Sequence, residues 1–211
     1  MVGRIIAIAQ QKGGSGKTTI AAHIAVALAA GHRVAILDTD PQGSLGEWFE
    51  RREERVGDPE TGLTFRTASG WGAKREAKSL SRDHDIVLVD TPPKSDLEAR
   101  HAIEAADLVI VPVQPTAVDL WATRPTLEMV NRGGPPALLV INRVPPRGAS
   151  SAEIIAAIAE LGAPAAATRL GNRVAFAASM GEGATATETA PGSKAAEESY
   201  ALAADIARLL D

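Results

Sequence analysis

Apolar residues are concentrated in short runs along the chain, and polar or glycine-containing turns follow these runs. Near-continuous runs of branched aliphatic residues are typical of parallel strands that are buried on both faces. The segments that fit this pattern are Arg4–Ala9, Val34–Leu37, Leu63–Thr67, Ile86–Val89, Leu108–Val111, Ala137–Ile141 and, as the last predicted strand, Ala165–Leu170.

Alanine-rich or amphipathic segments lie between these strands and predict helices. Thr18–Ala30 is followed by Gly31, and glycine commonly ends a helix. With the strands on either side, this helix makes a βαβ unit. Because strands and helices alternate, we predict a single α/β domain over residues 1–211, with a mostly parallel sheet and helices on both faces. The other predicted helices are Ser44–Arg55, Ala73–Leu80 and Ser193–Leu210.

The composition is that of an ordinary globular protein, with 45% hydrophobic and 23% charged residues. The absence of cysteine excludes disulfides, thiolate metal sites and cysteine nucleophiles. The first residues lead directly into a predicted strand, without the pattern of a signal peptide. No apolar run approaches the roughly 18 residues of a membrane span. We therefore expect a cytoplasmic protein.

A glycine-rich loop follows the first strand and precedes the first helix, which is the context of a phosphate-binding P-loop. The ordinary pattern begins with a glycine at the position that Gln11 occupies here, but the rest of it is intact. Glycines let backbone N–H groups approach phosphate oxygens, the lysine neutralises phosphate charge, and the threonine hydroxyl can bind Mg²⁺. The predicted nucleotide-binding residues are Gly13, Gly14, Ser15, Gly16, Lys17, Thr18 and Thr19.

Carboxylates follow two of the predicted strands. Asp38 and Asp40 come after Val34–Leu37, and Asp90 follows Ile86–Val89. Side chains at the carboxyl ends of strands in an open α/β sheet point into the crevice where ligands bind. An apolar strand that ends on a carboxylate also fits the acid that lies near Mg²⁺ in nucleotide-hydrolysing enzymes. The alternative for Asp38 and Asp40 is that they only cap the next helix.

Three motifs together resemble the ParA/MinD group of deviant P-loop ATPases, and most closely its small single-domain ParA/ParF-type partition members. The motifs are Lys12-Gly-Gly-Ser-Gly-Lys-Thr18, Asp38-Thr-Asp-Pro-Gln42 and Asp90-Thr-Pro-Pro93. The resemblance implies an Mg²⁺-dependent ATPase that converts ATP and water into ADP and phosphate. It also implies an ATP-sandwiched homodimer in which Lys12 reaches the partner's phosphates.

The same resemblance assigns roles to individual residues. Asp40 would orient or activate the attacking water, and Asp38 would support the Mg²⁺ shell. Lys12 could instead be an ordinary loop lysine. Asn142, which the resemblance places near the adenine base, could instead be a turn-forming asparagine. In full, the resemblance places Lys12, Lys17 and Asp40 in catalysis, Thr18, Asp38 and Asp90 at Mg²⁺, and Asn142 at the adenine base.

Several branches of this group are disfavoured by the sequence. Nitrogenase iron proteins need cluster cysteines, and the acidic C-terminal segment does not fit a basic membrane-binding helix. The P-loop begins so early that we expect no N-terminal helix-turn-helix extension. For the remaining branch the resemblance implies a cycle. The ATP-bound dimer binds DNA without sequence preference, in association with the nucleoid, and a ParB-like partner stimulates hydrolysis.

The net charge of −4 does not favour nucleic-acid binding through the overall field of the protein. Contact with DNA would therefore need a local basic patch, or charges brought together by dimerisation. The candidate DNA-binding residues are Arg169, Arg173 and Lys194, with a second cluster at Lys74, Arg75 and Lys78. The alternative for each of these clusters is an ordinary charged surface exposed to solvent.

These observations favour an ATP-dependent dimerisation switch that acts in plasmid or chromosome partition. The first alternative is a positioning ATPase for a protein cargo, such as a chemoreceptor array, a cellulose synthase complex or the division apparatus. The sequence does not separate these two, because the partner protein sets the cargo. The second alternative is a metabolic P-loop phosphotransferase similar to dethiobiotin synthetase. Lys12 together with the run from Asp38 to Gln42 argues against it.

Overall fold

Six strands form one sheet in the computed structural model, which describes residues 2–57, 60–93, 96–146 and 150–210. The strand order is β3-β2-β4-β1-β5-β6, and all neighbouring strands are parallel. This arrangement confirms the predicted fold class. The strands are β1 Arg4–Ile8, β2 Val34–Asp38, β3 Leu63–Thr67, β4 Ile86–Asp90, β5 Leu108–Val113 and β6 Ala137–Ile141.

Helices connect the strands, and the four helices predicted from the sequence lie where expected, with small differences at their ends. No helix in the described ranges is both long and apolar enough to cross a membrane. The helices are α1 Lys17–Ala29, α2 Ser44–Val56, α3 Gly72–Leu80, α4 Asp96–Ile103, α5 Ala117–Gly133, α6 Ser150–Ala159, α7 Val174–Gly181, α8 Ala186–Thr189 and α9 Lys194–Leu210.

The sheet separates two apolar cores. Successive residues of a strand point to opposite faces, so Ile6 and Ile8 of β1 enter one core while Ile5 and Ala7 enter the other. The first core is covered by α1, α2, α7, α8 and α9, and the second by α3, α4, α5 and α6. Helix α1 contacts α9 and β4, and four of its buried residues are alanines, whose small side chains favour close packing. The prediction of helices on both faces is confirmed.

The predicted strand Ala165–Leu170 is wrong. This segment runs beside β6 but makes only isolated bridges, at Leu139 with Ala165 and at Val144 with Gly171. Its side chains are mainly alanine, with no branched aliphatic run to pack on a pleated sheet. In addition, the backbone N–H of Thr168 donates to Asp205 in α9 at 2.8 Å, which draws the segment away from the strand ladder.

The strand order brings the chemically important loops together. Strand β4 lies between β1 and β2, and its last residue, Asp90, is in register with Ile8 of β1 and with Asp38 of β2. The glycine-rich loop after β1 and the acidic loop after β2 therefore flank Asp90 at the carboxyl edge of the sheet. Ligand sites of open α/β sheets occur at this edge.

Candidate active site

The glycine-rich loop needs glycine at two of its positions. Gly14 and Gly16 have φ angles of 73° and 97°, in the left-handed region that other residues rarely adopt. A Cβ atom on Gly16 would also lie 2.3 Å from Nδ2 of Asn142. Gly16 directly precedes α1, so the positive end of that helix dipole faces the loop. The loop is therefore shaped to bind an anion.

Lys17 is the buried cation of this loop. Its Nζ donates a hydrogen bond to the carbonyl of Gln10 at 3.1 Å. Burial lowers the pKa of Lys17, and the nearby carboxylates of Asp90 and Asp40 partly oppose that change. A phosphate group would satisfy the lysine better than a neutral carbonyl does, because the hydrogen bond would join opposite charges.

Thr18 and Asp90 form a pair that suits Mg²⁺. The Thr18 hydroxyl donates to Oδ2 of Asp90 at 2.6 Å, and Oδ1 of Asp90 is buried with no hydrogen-bond partner among the described residues. Burial, with a contribution from Asp38, raises the pKa of Asp90 to about 7. A hard cation would take both oxygen ligands and stabilise the ionised carboxylate. The described residues contain no cluster of three acidic or histidine side chains, so phosphate oxygens and waters would complete the shell.

Asp38 is engaged by the backbone. Its Oδ1 accepts the N–H of Asp40 at 2.9 Å, and its Oδ2 accepts the N–H of Gly46 in the first turn of α2 at 3.0 Å. These are the bonds expected if Asp38 holds the loop and caps the helix, which is the alternative that the sequence left open. Its contribution to the Mg²⁺ shell stays a prediction.

Asp40 lies on the wall of an open cleft of about 780 Å³, with Lys17 and Thr18. It is half-buried, and its Oδ1 accepts the N–H of Gln42 at 3.0 Å. This volume is in the ordinary range for a ligand pocket. A carboxylate that faces the phosphate site from the side can position a water molecule there, as predicted for Asp40.

Asn142 lies beside the loop. Its Nδ2 donates to the carbonyl of Ser15 at 2.8 Å, and its Oδ1 accepts the N–H of Arg143 at 2.8 Å. It lines a second, smaller cavity of about 130 Å³ together with His23 and Phe176. An aromatic and apolar cavity next to a phosphate site suits a nucleobase. Contact between Asn142 and adenine stays a prediction.

Three residues of the cleft were missed in the sequence analysis. Glu47 and Arg51 lie one turn apart on α2 and form a salt bridge of 2.7 Å on the cleft wall. Arg143 lines both the cleft and the smaller cavity. Its position directly after Asn142, at the carboxyl end of β6, was a signal for a ligand-facing residue. The α2 pair gave no such signal in the sequence, because only the tertiary fold brings α2 over the loop.

Lys12 is held by an acidic residue of its own chain. Its Nζ lies 2.5 Å from Oδ2 of Asp119, and Asp119 is 1% exposed while Lys12 is 31% exposed. The Thr116 hydroxyl donates to the same carboxylate oxygen, and Oδ1 of Asp119 has no partner among the described residues. Lys12 therefore contacts α5 in this structure, and it is absent from the residues that line the cleft.

The beginning of the glycine-rich loop is joined to α5 by further hydrogen bonds. Gln10 donates to Thr123 at 3.0 Å and accepts from Thr126 at 2.9 Å, and all three side chains are buried. Gln114 donates to the carbonyl of Gly14 at 2.8 Å. Because these hydrogen bonds join the loop to the helix, a movement of the loop would be transmitted to the first turns of α5.

The three candidate DNA-binding residues are not gathered into a free basic patch. Arg173 forms a two-point salt bridge with Glu198, at 2.9 Å and 2.5 Å, and Lys194 pairs with Glu197 at 2.5 Å. Arg169 is exposed and makes no salt bridge with a described residue. Pairing with carboxylates reduces the field that DNA phosphates would meet, so a role for these residues in binding DNA stays a prediction.

His23 joins α1 to the segment that contains α7 and α8. The N–H of Ala186 donates to Nε2 at 3.0 Å, so this nitrogen carries no proton, and Nδ1 therefore donates to the carbonyl of Thr19 at 2.8 Å. The Phe176 ring packs against the imidazole at 5.0 Å. Burial lowers the pKa of His23 to about 4. The neutral imidazole is thus part of the folded structure.

We expect acid to destabilise the protein through His23. Below pH 6.5 the unfolded chain protonates this histidine, while the folded state resists until about pH 4. The free energy of unfolding should fall across this window, by about 3 kcal/mol in total. Urea unfolding of the wild type and of His23→Gln at several pH values isolates the effect. A difference between them that stays constant from pH 7 to pH 4 would contradict the prediction.

Comparison with known proteins agrees with this site. Residues 6–186 match the family described as the CobQ/CobB/MinD/ParA nucleotide binding domain. Maintenance of carboxysome distribution protein A from Halothiobacillus neapolitanus is 32% identical over 200 residues, covering 92% of this chain and 91% of the relative. The chromosome-partitioning ATPase Soj from Thermus thermophilus is 35% identical over 166 residues, covering 65% and 67%.

Solved structures give the same result for the fold. The cell division ATPase MinD from Pyrococcus furiosus superposes with a TM-score of 0.81 at 25% identity, over 98% of this chain and 99% of that chain. An ATP complex of McdA from Cyanothece superposes with a TM-score of 0.81 at 19% identity, over 99% and 96%, and supports the fold alone. The chain therefore belongs to the CobQ/CobB/MinD/ParA family of nucleotide-binding domains and is an ATPase of its ParA/MinD group.

Proposed function

We propose that this chain is an ATP-dependent dimerisation switch with slow hydrolysis, which positions a large cargo by binding DNA without sequence preference. The observation that carries the switch is the placement of Lys12. Its charge is held by Asp119 on α5 and not directed at the phosphate site of its own chain. This placement supports a role for Lys12 at the phosphate site of another copy of the protein.

The described residues supply the other parts of ATP hydrolysis. Lys17 and the loop N–H groups would hold the phosphates. Thr18 and Asp90 would hold Mg²⁺, which would supply positive charge next to the phosphates. Asp40 orients the attacking water from the cleft wall. Lys12 of a second copy would add positive charge where the transition state gathers negative charge, as arginine fingers do.

The leading candidate for the cargo is a protein assembly. Relatives named for carboxysome distribution align with most of this chain, 92% for the protein from Halothiobacillus neapolitanus and 77% for the one from Gloeobacter kilaueensis. The partition ATPases from Myxococcus xanthus and Caulobacter vibrioides align with 54% and 53% of it. The longer alignment favours a positioning role, with an adaptor protein that stimulates hydrolysis in place of a ParB-like partner.

DNA partition is the second candidate function. It is supported by the 35% identity with Soj from Thermus thermophilus over 65% of this chain. Both candidates share the nucleotide cycle and the binding of arbitrary DNA by the dimer. They differ in the partner that stimulates hydrolysis.

We expect the mass of the protein in solution to double with ATP and Mg²⁺ but not with ADP. Light scattering on Asp40→Ala, which should bind ATP without turnover, measures this directly. The same samples, mixed with an arbitrary DNA duplex, should bind it in a way that weakens steeply as salt rises, because only phosphates are contacted. No change in mass with ATP would overturn the dimerisation switch. A dimer that ignores DNA would restrict the proposal to cargo carried on another surface.

A further inference from the structure

Arg143 has an unusual backbone conformation. Its φ angle is 53°, and it is the one residue other than glycine with a positive φ in the part of the chain that the structure describes. Arginine adopts this region at a cost that asparagine or glycine would not incur, and strained residues of this kind cluster at ligand sites. The strain is held in place by Asn142, whose Oδ1 accepts the N–H of Arg143 at 2.8 Å.

The position of Arg143 between two cavities defines what it can touch. The open cleft is lined by Lys17 and Thr18 at its phosphate-binding end, and the smaller cavity is lined by His23 and Phe176, which suit a base. A nucleotide that occupies both must place its ribose and α-phosphate where they meet. Among the described residues, those that line both cavities are Gly16, Thr19, Arg143 and Ala177.

Arg143 is the charged member of this group, and no carboxylate among the described residues pairs with it in a salt bridge. Arg51, by contrast, lines the cleft but is committed to Glu47 and to the carbonyl of Gly181. A guanidinium with several N–H donors in a fixed plane suits two adjacent oxygens of a phosphate. Arg143, which has no such salt bridge with a described residue, therefore lies where the two cavities meet and can bind a ligand there.

We propose that Arg143 binds the α-phosphate of the nucleotide. This inference rests on the proposed function, because it takes the ligand to be ATP or ADP. Since the α-phosphate is common to both, the interaction anchors the nucleotide before and after hydrolysis. It does not distinguish the two states, which is the task of the groups around the γ-phosphate.

The test compares wild type with Arg143→Asn and Arg143→Gly. Both replacements tolerate positive φ, so neither variant should melt at a lower temperature than wild type. Binding of ATP, ADP and adenosine, each with Mg²⁺, would be measured by competition against a fluorescent ATP analogue. We expect both variants to bind ATP and ADP about tenfold more weakly, by similar factors, because one charged hydrogen-bonded contact is lost. Binding of adenosine should not change.

Three results would overturn the inference. An equal loss for adenosine would mean that Arg143 stacks on the base, and a loss for ATP alone would place it at the γ-phosphate. Unchanged affinity for all three ligands would mean that it does not touch the nucleotide. A wild-type protein that binds neither ATP nor ADP would instead contradict the proposed function, so the two failures are distinguishable.

Discussion

ATP turnover by Asp40→Ala is expected to be lower than that of the wild type by a factor of about a hundred or more, the usual range for loss of a positioned general base. The affinity for ATP should be nearly unchanged, because the phosphate contacts come from Lys17, Thr18 and the loop backbone. Asp40 is half-buried on the wall of the cleft that Lys17 and Thr18 also line, so it is placed to act on a water molecule beside the phosphates. Phosphate release in a single turnover, combined with ATP titration, measures both quantities.

Asp83 provides the matched control for this experiment. It is an exposed aspartate in the turn before β4, away from the residues that line the cleft. Asp83→Ala should hydrolyse ATP at the wild-type rate. Equal turnover in Asp40→Ala and Asp83→Ala would remove Asp40 from the mechanism. Loss of ATP binding in Asp40→Ala would instead mean that this residue shapes the site.

Lys12→Ala should lose turnover by about a thousandfold, comparable to removal of a charge supplied in trans to a phosphoryl transfer site. Its ATP-dependent dimer should also weaken, because Lys12 would no longer contact the partner's phosphates. Lys78→Ala, which changes an exposed lysine of α3 away from the cleft, is the matched control and should hydrolyse ATP and form the dimer as the wild type does. Steady-state hydrolysis over a range of protein concentrations, with light scattering, measures both effects.

A mixture of Lys12→Ala and Asp40→Ala separates action in trans from action in cis. In a mixed dimer, the site on the Lys12→Ala copy keeps its own Asp40 and receives Lys12 from the other copy. Such a site is complete, so the mixture should recover activity that neither variant has alone. If Lys12 acts on its own nucleotide, mixing would recover nothing.

The salt bridge between Asp119 and Lys12 affects how the proposed switch responds to nucleotide. Asp119 is almost fully buried, and one of its oxygens already lacks a partner among the described residues. If Lys12 leaves, a buried carboxylate loses its cation, which costs free energy that new contacts must offset. The partner's phosphates can provide those contacts. Under the proposed mechanism, we therefore expect Lys12 to stay paired with Asp119 until a second nucleotide-bound copy is in place.

The sequence predicted best those features that depend on neighbouring residues. Leu63–Thr67 matches β3 at both ends, and the P-loop could be recognised because its glycines, lysine and threonine are contiguous. The placement of Asp90 beside Thr18 followed from the rule that strand ends meet at one edge of the sheet. Local patterns of residues therefore suffice to predict the fold class and the meeting of Thr18 with Asp90 at the carboxyl edge of the sheet.

The features that were missed depend on distant contacts. Lys12 and Asp119 are 107 positions apart, and nothing in either local sequence indicates that they pair. Ala165–Leu170 was expected to be a strand, but a hydrogen bond from Thr168 to Asp205 redirects its backbone. The positive φ of Arg143 has no sequence signal of its own, since asparagine or glycine would be the usual choice there.

The outer strands of the sheet bear on how copies of this protein can associate. Backbone groups on the free side of β6 already bond to the segment beside it, as when the N–H of Leu139 donates to the carbonyl of Pro164 at 2.8 Å. At the other end β3 is short and carries the charged Arg66, whose guanidinium donates to the Phe65 carbonyl. Such edges oppose the uncontrolled strand addition that leads to aggregates. Association between copies would then use side-chain surfaces, and in the proposed switch a bound nucleotide regulates that association while hydrolysis reverses it.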